Sequence, residues 1–400
     1  MSLVASIRAE AASLLGGGKG KILAPVAVGW GLLVGSRMVY PVVLPNLREM
    51  FGLSLSTAGL LVTVLWLGSA VGQLPSGVLT DRYTERRMMV TSTLTVAAAL
   101  SLVVVAPTAL LLYGATALVG IGMSLYPIAR ITILTETYPD RLGSALGVTM
   151  ATGDLGQTVF PPLAGVLTAI LAWQFGFGVL IPSLLVVALA LWVALPDTST
   201  NDTDGTELSV ERLRYIVSEL WSPALVFMTV VLFLFIFIWQ TFSAFYPTYL
   251  AEEKGLSETV ASALFGLFFG FGVLVKPLAG SAYDRIGMRR SPVIVLVGPV
   301  VGLVLLPFAD GVPALVGITA LVSTMLGTGA ITQSYLSELF ADDMRGTGLG
   351  AVRTTAATLG ASGPVLFGVV ADRGYFDEGY LALAGIMVVI VLLTLRMPES

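Results

Sequence analysis

Apolar runs of 18 or more residues recur from one end of this chain to the other, and no other feature of the sequence restricts its fold as strongly. Each run can cross a hydrocarbon core about 30 Å thick as a helix, which takes about 20 residues. Twelve spans can be drawn, at roughly 24–46, 57–79, 88–106, 110–134, 144–166, 174–195, 223–250, 258–282, 291–308, 313–338, 347–371 and 378–396. The runs are continuous and rich in Leu, Val and Ala, unlike the alternating segments of about 10 residues that barrel strands require. With only 12% charged residues against about 25% in soluble proteins, the chain reads as an all-α polytopic membrane protein.

The first run, ILAPVAVGWGLLVGSRMVYPVVLPNL, is too long for a signal-peptide core and no small-residue cleavage pattern follows it, so it is read as span 1. Cationic residues then set the orientation. With both termini cytoplasmic, 14 of the 21 Lys and Arg lie inside, three outside (Arg48, Lys254, Arg373) and four within spans. That is the asymmetry of the positive-inside rule, and it predicts a multi-pass protein of the cell membrane. The chain has no Cys and no His, which removes thiolate nucleophiles, disulfides, the usual metal ligands and the commonest general base. No metal, no other cofactor and no enzymatic constellation is expected. The Arg-bearing loops lack a P-loop lysine and follow no strand, so nucleotide and nucleic-acid partners are not expected either.

The one long polar break, 196–221, ends in ELSVERLRYIVSELW, the pattern of an amphipathic surface helix. It separates six spans in residues 1–195 from six in residues 222–400. Across it the sequence repeats: GVLTDRYTERR at 77–87 returns as GSAYDRIGMRR at 280–290, an offset of 203. The same offset lays Gly77 on Gly280, Asp81 on Asp284, Arg82 on Arg285, Gly147 on Gly350, Pro161 on Pro364 and Gly165 on Gly368. The segments TETYPDRLGSALG and SELFADDMRGTGLG echo each other as well, each carrying an acid (Glu136, Glu338) and an Arg (Arg141, Arg345).

These motifs resemble the major facilitator superfamily of secondary transporters, whose hallmark is a Gly-x-x-x-Asp-Arg-x-Gly-x-Arg-Arg loop between helices 2 and 3, echoed between helices 8 and 9. The resemblance implies two pseudosymmetric six-helix bundles, a substrate site at the midplane between them, alternating access by rocking of the halves, and a monomer. It further implies a cytoplasmic latch. Asp81 of the Gly77 loop would face the N-terminus of helix 11, Arg82 or Arg86 would seek Glu136, and Gly280, Asp284, Arg285 and Glu338 would form the second copy. The first copy departs from the pattern, with Thr84 at the central glycine and Glu85 beside it, whereas the second keeps Gly287.

An ionised side chain at mid-bilayer costs roughly 2.5–3.5 kcal/mol on insertion scales, so those present should face a cavity or a partner. Arg37, Arg130 and Asp154 lie at depth; Lys276 and Arg353 can snorkel to the cytoplasmic rim, where Glu338 or a loop carboxylate could meet them. Two cations beside one anion leave room for an anionic ligand. The repeat places Arg37 opposite Gln240 and Arg130 opposite Gln333, so two guanidinium forks and two amides could ring a carboxylate or oxyanion. Helical spacing adds Trp30, Tyr40 and Tyr126 as liners. Two alternatives stand beside this: Arg130 paired with Asp154 purely to hold the first half together, and Arg37 bonded to a carbonyl freed near Pro41. Asp154 is also the candidate proton carrier, competing with cargo for Arg130.

The resulting expectation is a secondary active transporter of a small organic or inorganic anion, proton-coupled or exchanging. A proton-driven multidrug exporter, with Asp154 recognising cations, is the alternative within the class. A membrane sensor that has lost transport is the alternative outside it, and it would need an output domain that the 196–221 connector is too short to provide.

Overall fold

The computed structural model describes residues 14, 16–197, 223–329, 331, 332 and 345–396. The described residues are helical almost throughout. The first half comprises α1 (Gly20–Phe51), α2 (Leu55–Arg82), α3 (Glu85–Val104), α4 (Ala109–Ser124), α5 (Tyr126–Thr137), α6 (Leu142–Ile170), α7 (Trp173–Gly178) and α8 (Leu180–Ala194). The second comprises α9 (Pro223–Glu252), α10 (Glu258–Leu305), α11 (Val312–Ser323), α12 (Arg345–Gly360), α13 (Gly363–Ala371) and α14 (Phe376–Leu395). Hydroxyls at Ser54, Thr84, Thr108 and Ser257 accept the free N–H groups that open α2, α3, α4 and α10.

Ten helical stretches among these are long and apolar enough to cross a membrane on their own composition. They are the expected spans apart from the fifth and the tenth. The fifth, α6, has the length, but it is rich in Gly and Thr and carries Asp154 and Gln157. The tenth is described only as far as residue 332, so Gln333 and Glu338 lie outside the described residues, as do residues 198–221 of the connector with its expected amphipathic helix. The side chains of Gly77, Asp81 and Arg82 lie outside them too.

The two copies of the charged motif turn the chain differently. Gly287 takes φ 72° and ψ 179° inside the otherwise helical α10, a conformation that glycine alone adopts readily. Thr84, its counterpart, is extended at φ −65° and ψ 150°, and its hydroxyl caps α3 while Glu85 occupies the dipole-favoured first turn. Losing the glycine therefore goes with a capped turn in place of a left-handed one. Of the two arginines that the resemblance implied for Glu136, Arg82 has its side chain outside the described residues and Arg86 turns elsewhere. It pairs with Asp197 at 2.7 Å and lies over Trp192, and Arg87 and Thr84 meet the same carboxylate, because α8, which ends just before Asp197, packs along α3. Asp284 and Arg285 are exposed, and a side chain at Gly280 would meet open space.

At the end of the bundle where α1 turns into α2, the halves are closed against each other, and the repeat is visible in how. Gly165 of α6 lies where a Cβ would sit 1.8 Å from Ser262 Oγ, and Gly368 of α13 where it would sit 2.4 Å from the Leu55 carbonyl oxygen. Leu55 and Glu258 open the matching helices α2 and α10, so one contact is made twice by the duplicated sequence. Small residues at these crossings permit close backbone approach, and Gly59, against the Pro364 carbonyl, extends the second seam. Polar links run over the top: Arg48 to Glu252, and Asn46 to Glu258 at 3.1 Å. At the opposite end the repeated pair Gly147 and Gly350 has open space where a side chain would point.

Asp372, just past α13, accepts the Leu55 N–H at 2.6 Å and the Ser56 N–H at 2.9 Å, so a residue of the second half caps a helix of the first. Desolvation raises its pKa, but the hydrogen bonds from Ser56, Leu55 and Ser54 outweigh it and hold the carboxyl below its ordinary value. The cap favours the ionised form. Its stabilisation is therefore complete above the usual carboxylate pKa of about 3.9 and fades only as pH falls below that. Asp372→Ala is expected to weaken closure of this end by about 1 kcal/mol, the usual worth of a helix cap. Spin-label distances across the closed end would show it as a larger open population, and an unchanged distribution would contradict the capping role.

Candidate functional site

Arg37 lies at the middle of α1 and points between α2 and α4. Its Nη2 donates to Ser69 Oγ at 3.2 Å and approaches Met123 Sδ at 3.5 Å, and its guanidinium sits 4.3 Å over the Trp66 ring. It does not bond a carbonyl near Pro41, because the hydroxyl, sulfur and indole on the neighbouring helices supply its partners. Trp66 in turn packs edge-on against Trp239 of α9, with ring centroids 5.1 Å apart, so this cluster reaches the second half.

Arg130 forms a second cluster on α5, which begins after a break at Leu125 with Pro127 in its first turn. Its guanidinium lies 4.0 Å over Trp30, and Nη1 donates to Thr149 Oγ1 of α6 at 3.2 Å. Trp30 stacks on Tyr126, whose hydroxyl donates to the Val26 carbonyl at 2.9 Å. Gly153 makes room for the indole: a Cβ there would lie 2.6 Å from Trp30 Nε1. Trp30 and Arg37 are seven residues apart on α1, so the clusters stand about 10 Å apart along one helix.

Both guanidiniums are held over indoles, contacts worth about 0.5–2 kcal/mol each, and among the described residues neither meets a carboxylate. Arg37 Nε and Arg130 Nε are buried without a hydrogen-bond acceptor. Trp239 Nε1, Gln240 Oε1 and Ser243 Oγ on α9, the helix that faces Arg37 through Trp66, are likewise buried without a hydrogen-bond partner. Buried polar atoms are nearly always paired, so unmet hydrogen-bonding capacity stands on both sides of the Trp66–Trp239 contact.

Three expectations change. Asp154 does not pair with Arg130; it meets Lys276 of α10 at 2.5 Å, because α6 packs along α10 of the other half while the Arg130 fork turns to Thr149. Lys276 accordingly does not snorkel to a rim carboxylate. Tyr40 turns away into the core of the first half, edge-on to Phe177 at 4.8 Å and fully buried. Trp30 and Tyr126 gather at Arg130, Arg37 stands apart with Trp66, and Gln240 is buried on α9. Trp66, Ser69, Met123 and Thr149 were not foreseen. The Trp66–Ser69 pair carries a legible signal, an indole and a hydroxyl three residues apart on one helical face.

The sequence model described as Major Facilitator Superfamily matches residues 26–364. The chain is 24% identical over 393 residues to the hexuronate transporter of Bacillus subtilis (strain 168), covering 90% of each. It is 25% identical over 349 residues to the sialic acid transporter NanX of Escherichia coli (strain K12), covering 84% of this chain and 83% of that one. Its fold matches the crystal structure of a D-xylose-proton symporter with a TM-score of 0.80 at 16% identity, covering 95% of this chain and 98% of that one.

Proposed function

The chain belongs to the Major Facilitator Superfamily, and from that premise we propose that it is a secondary active transporter of a small carboxylate, working by alternating access as a monomer in the cell membrane. The observation that carries this reading is the pair of buried guanidiniums, Arg37 and Arg130, each fixed over an indole and neither neutralised by a carboxylate among the described residues. A planar guanidinium fork matches a carboxylate with two parallel hydrogen bonds, and in a low-dielectric site those bonds are strong. Relatives named for hexuronate and sialic acid, both organic acids, support the same ligand chemistry.

Trp30, Trp66, Trp239 and Tyr126 give the site apolar, orienting walls, and Gln240 adds an amide from the second half. Gln333, its counterpart opposite Arg130, is proposed to complete the ring. With both termini cytoplasmic, as the distribution of Lys and Arg favours, the closed end is the outer one and the site opens inwards. Asp81, Arg82 and Glu136, with Gly280, Asp284, Arg285 and Glu338, are then the latch of the opposite state, in which the inner end is shut. Such a latch must break in every cycle, and rim charge pairs worth about 0–1 kcal/mol suit that.

The test is a thermal-shift panel on purified protein with glucuronate, N-acetylneuraminate, nitrate and the cation ethidium. A ligand at 100 times its Kd stabilises the folded state by about 2.7 kcal/mol, enough to read as a shift of melting temperature. The carboxylates are expected to stabilise the protein and ethidium is not. Stabilisation by ethidium alone would overturn the reading in favour of a cation exporter.

A further inference from the structure

Between Gly29 and Leu44 every residue of α1 is buried except Trp30, Val34 and Arg37. Spaced by four and three residues, these three form one stripe along the helix. Its flanks are occupied. Gly31 and Gly35 lie against Thr152, Gly156 and Phe160 of α6, and Gly29 against Tyr126 and Val187. At one end of the stripe Trp30 underlies Arg130, and at the other Arg37 lies over Trp66. The facing span keeps the same interval: Met123, which touches Arg37, stands seven residues before Arg130, as Trp30 stands seven before Arg37. The two guanidinium stations are thus set about 10 Å apart, with the apolar Val34 between them.

That interval is too long for one carboxylate. To hydrogen-bond both forks it would need their central carbons within about 8 Å of each other, since each N···O contact is about 2.8 Å. The forks are instead tied to separate hydroxyls, Ser69 and Thr149. Arg37 Nε and Arg130 Nε are each buried without an acceptor, and Asp154 is engaged by Lys276. A monoanion at either station leaves the other guanidinium buried without a counter-charge among the described residues, which desolvation penalises. A dianion leaves neither.

We propose that the cargo is a straight dicarboxylate with an apolar spacer, one carboxylate on Arg37, the other on Arg130 and the spacer along Val34. With C–C bonds of about 1.5 Å, carboxylates about 10 Å apart terminate an extended chain of roughly eight or nine carbons. Trp66 and Trp30 then flank the two ends, and the Val34 side chain offers no partner to a hydroxyl on the spacer. This rests on the carboxylate reading above and narrows it. The site measures length as well as charge, and an acid with one carboxylate, such as glucuronate, fills only one station.

The experiment is calorimetry of succinate, adipate, suberate and monomethyl suberate on the purified protein, the last having the length of suberate and one charge. Affinity is expected to rise from succinate through adipate to suberate, with one suberate bound per chain. Suberate should bind roughly 10- to 100-fold more tightly than its monomethyl ester, the worth of one further charge-assisted contact. Arg37→Gln and Arg130→Gln should each bring suberate down to the level of the ester. Should either variant not fold, the length series and the ester comparison on wild type decide alone. Succinate binding as tightly as suberate, or suberate no more tightly than its ester, overturns the proposal. Two suberate molecules per chain overturn it as well, in favour of stations filled one after the other. With glucuronate still bound, each of these results leaves the carboxylate reading standing. A wild type that binds none of the four and neither glucuronate nor N-acetylneuraminate overturns both.

Discussion

Arg37→Ala is expected to weaken glucuronate binding by roughly 30- to 900-fold, about 2–4 kcal/mol, the usual cost of truncating one partner of a desolvated charge pair. The size follows from the site. Arg37 is held by Ser69, Met123 and Trp66, so its fork is ordered before cargo arrives and little rotamer entropy is lost on binding. Arg37→Lys should recover only part of the loss, because an ammonium supplies a point charge without the planar fork and stacks less well on Trp66. Calorimetry on the three proteins decides it. Equal affinity in wild type and Arg37→Ala would remove Arg37 from the site, and full recovery by Lys would show that charge alone matters.

The second large effect is conformational. A leucine at Gly368 cannot coexist with the closed end, because its Cβ would lie 2.4 Å from the Leu55 carbonyl oxygen and 2.7 Å from both Leu55 C and Ser56 Cα, all backbone atoms of the facing helix. Overpacking of this kind costs about 1–3 kcal/mol, enough to shift an open–closed equilibrium by roughly 5- to 150-fold. The chain contains no cysteine, so labels placed through Glu49→Cys and Glu253→Cys would be the only ones present. Double electron–electron resonance should show their separation lengthening in Gly368→Leu. Gly147→Leu, at the other end and in open space, should leave that separation as in wild type. If Gly368→Leu keeps the short distance, the seam is not a gate.

Much of this arrangement was legible because the signals are local or periodic. Twelve apolar runs fix a helical membrane fold regardless of detail, since a backbone in hydrocarbon must satisfy its own hydrogen bonds. The 203-residue repeat marked Gly165 and Gly368 as equivalent, and they do make the same contact. Intramembrane charges were easy to list because so few exist. Their partners were not. Arg130 and Asp154 looked like a pair from their neighbouring spans, yet the choice between Arg130 and Lys276 depends on which helix of the other half lies alongside α6. Tyr40 shares a helical face with Arg37 by spacing, but Phe177 draws it into the core, a preference visible only once α7 is in place.

The sequence by itself determined the class of molecule: a duplicated bundle of membrane helices with more buried cations than buried anions. Composition and periodicity suffice for that, because transfer into hydrocarbon acts on each helix separately. Tertiary structure decided which charges meet, which glycines touch and which end is shut. Those outcomes depend on distances between helices far apart in the chain, where a shift of one turn, about 5.4 Å, exchanges one partner for another. Through that register Asp154 came to face Lys276, joining the two halves.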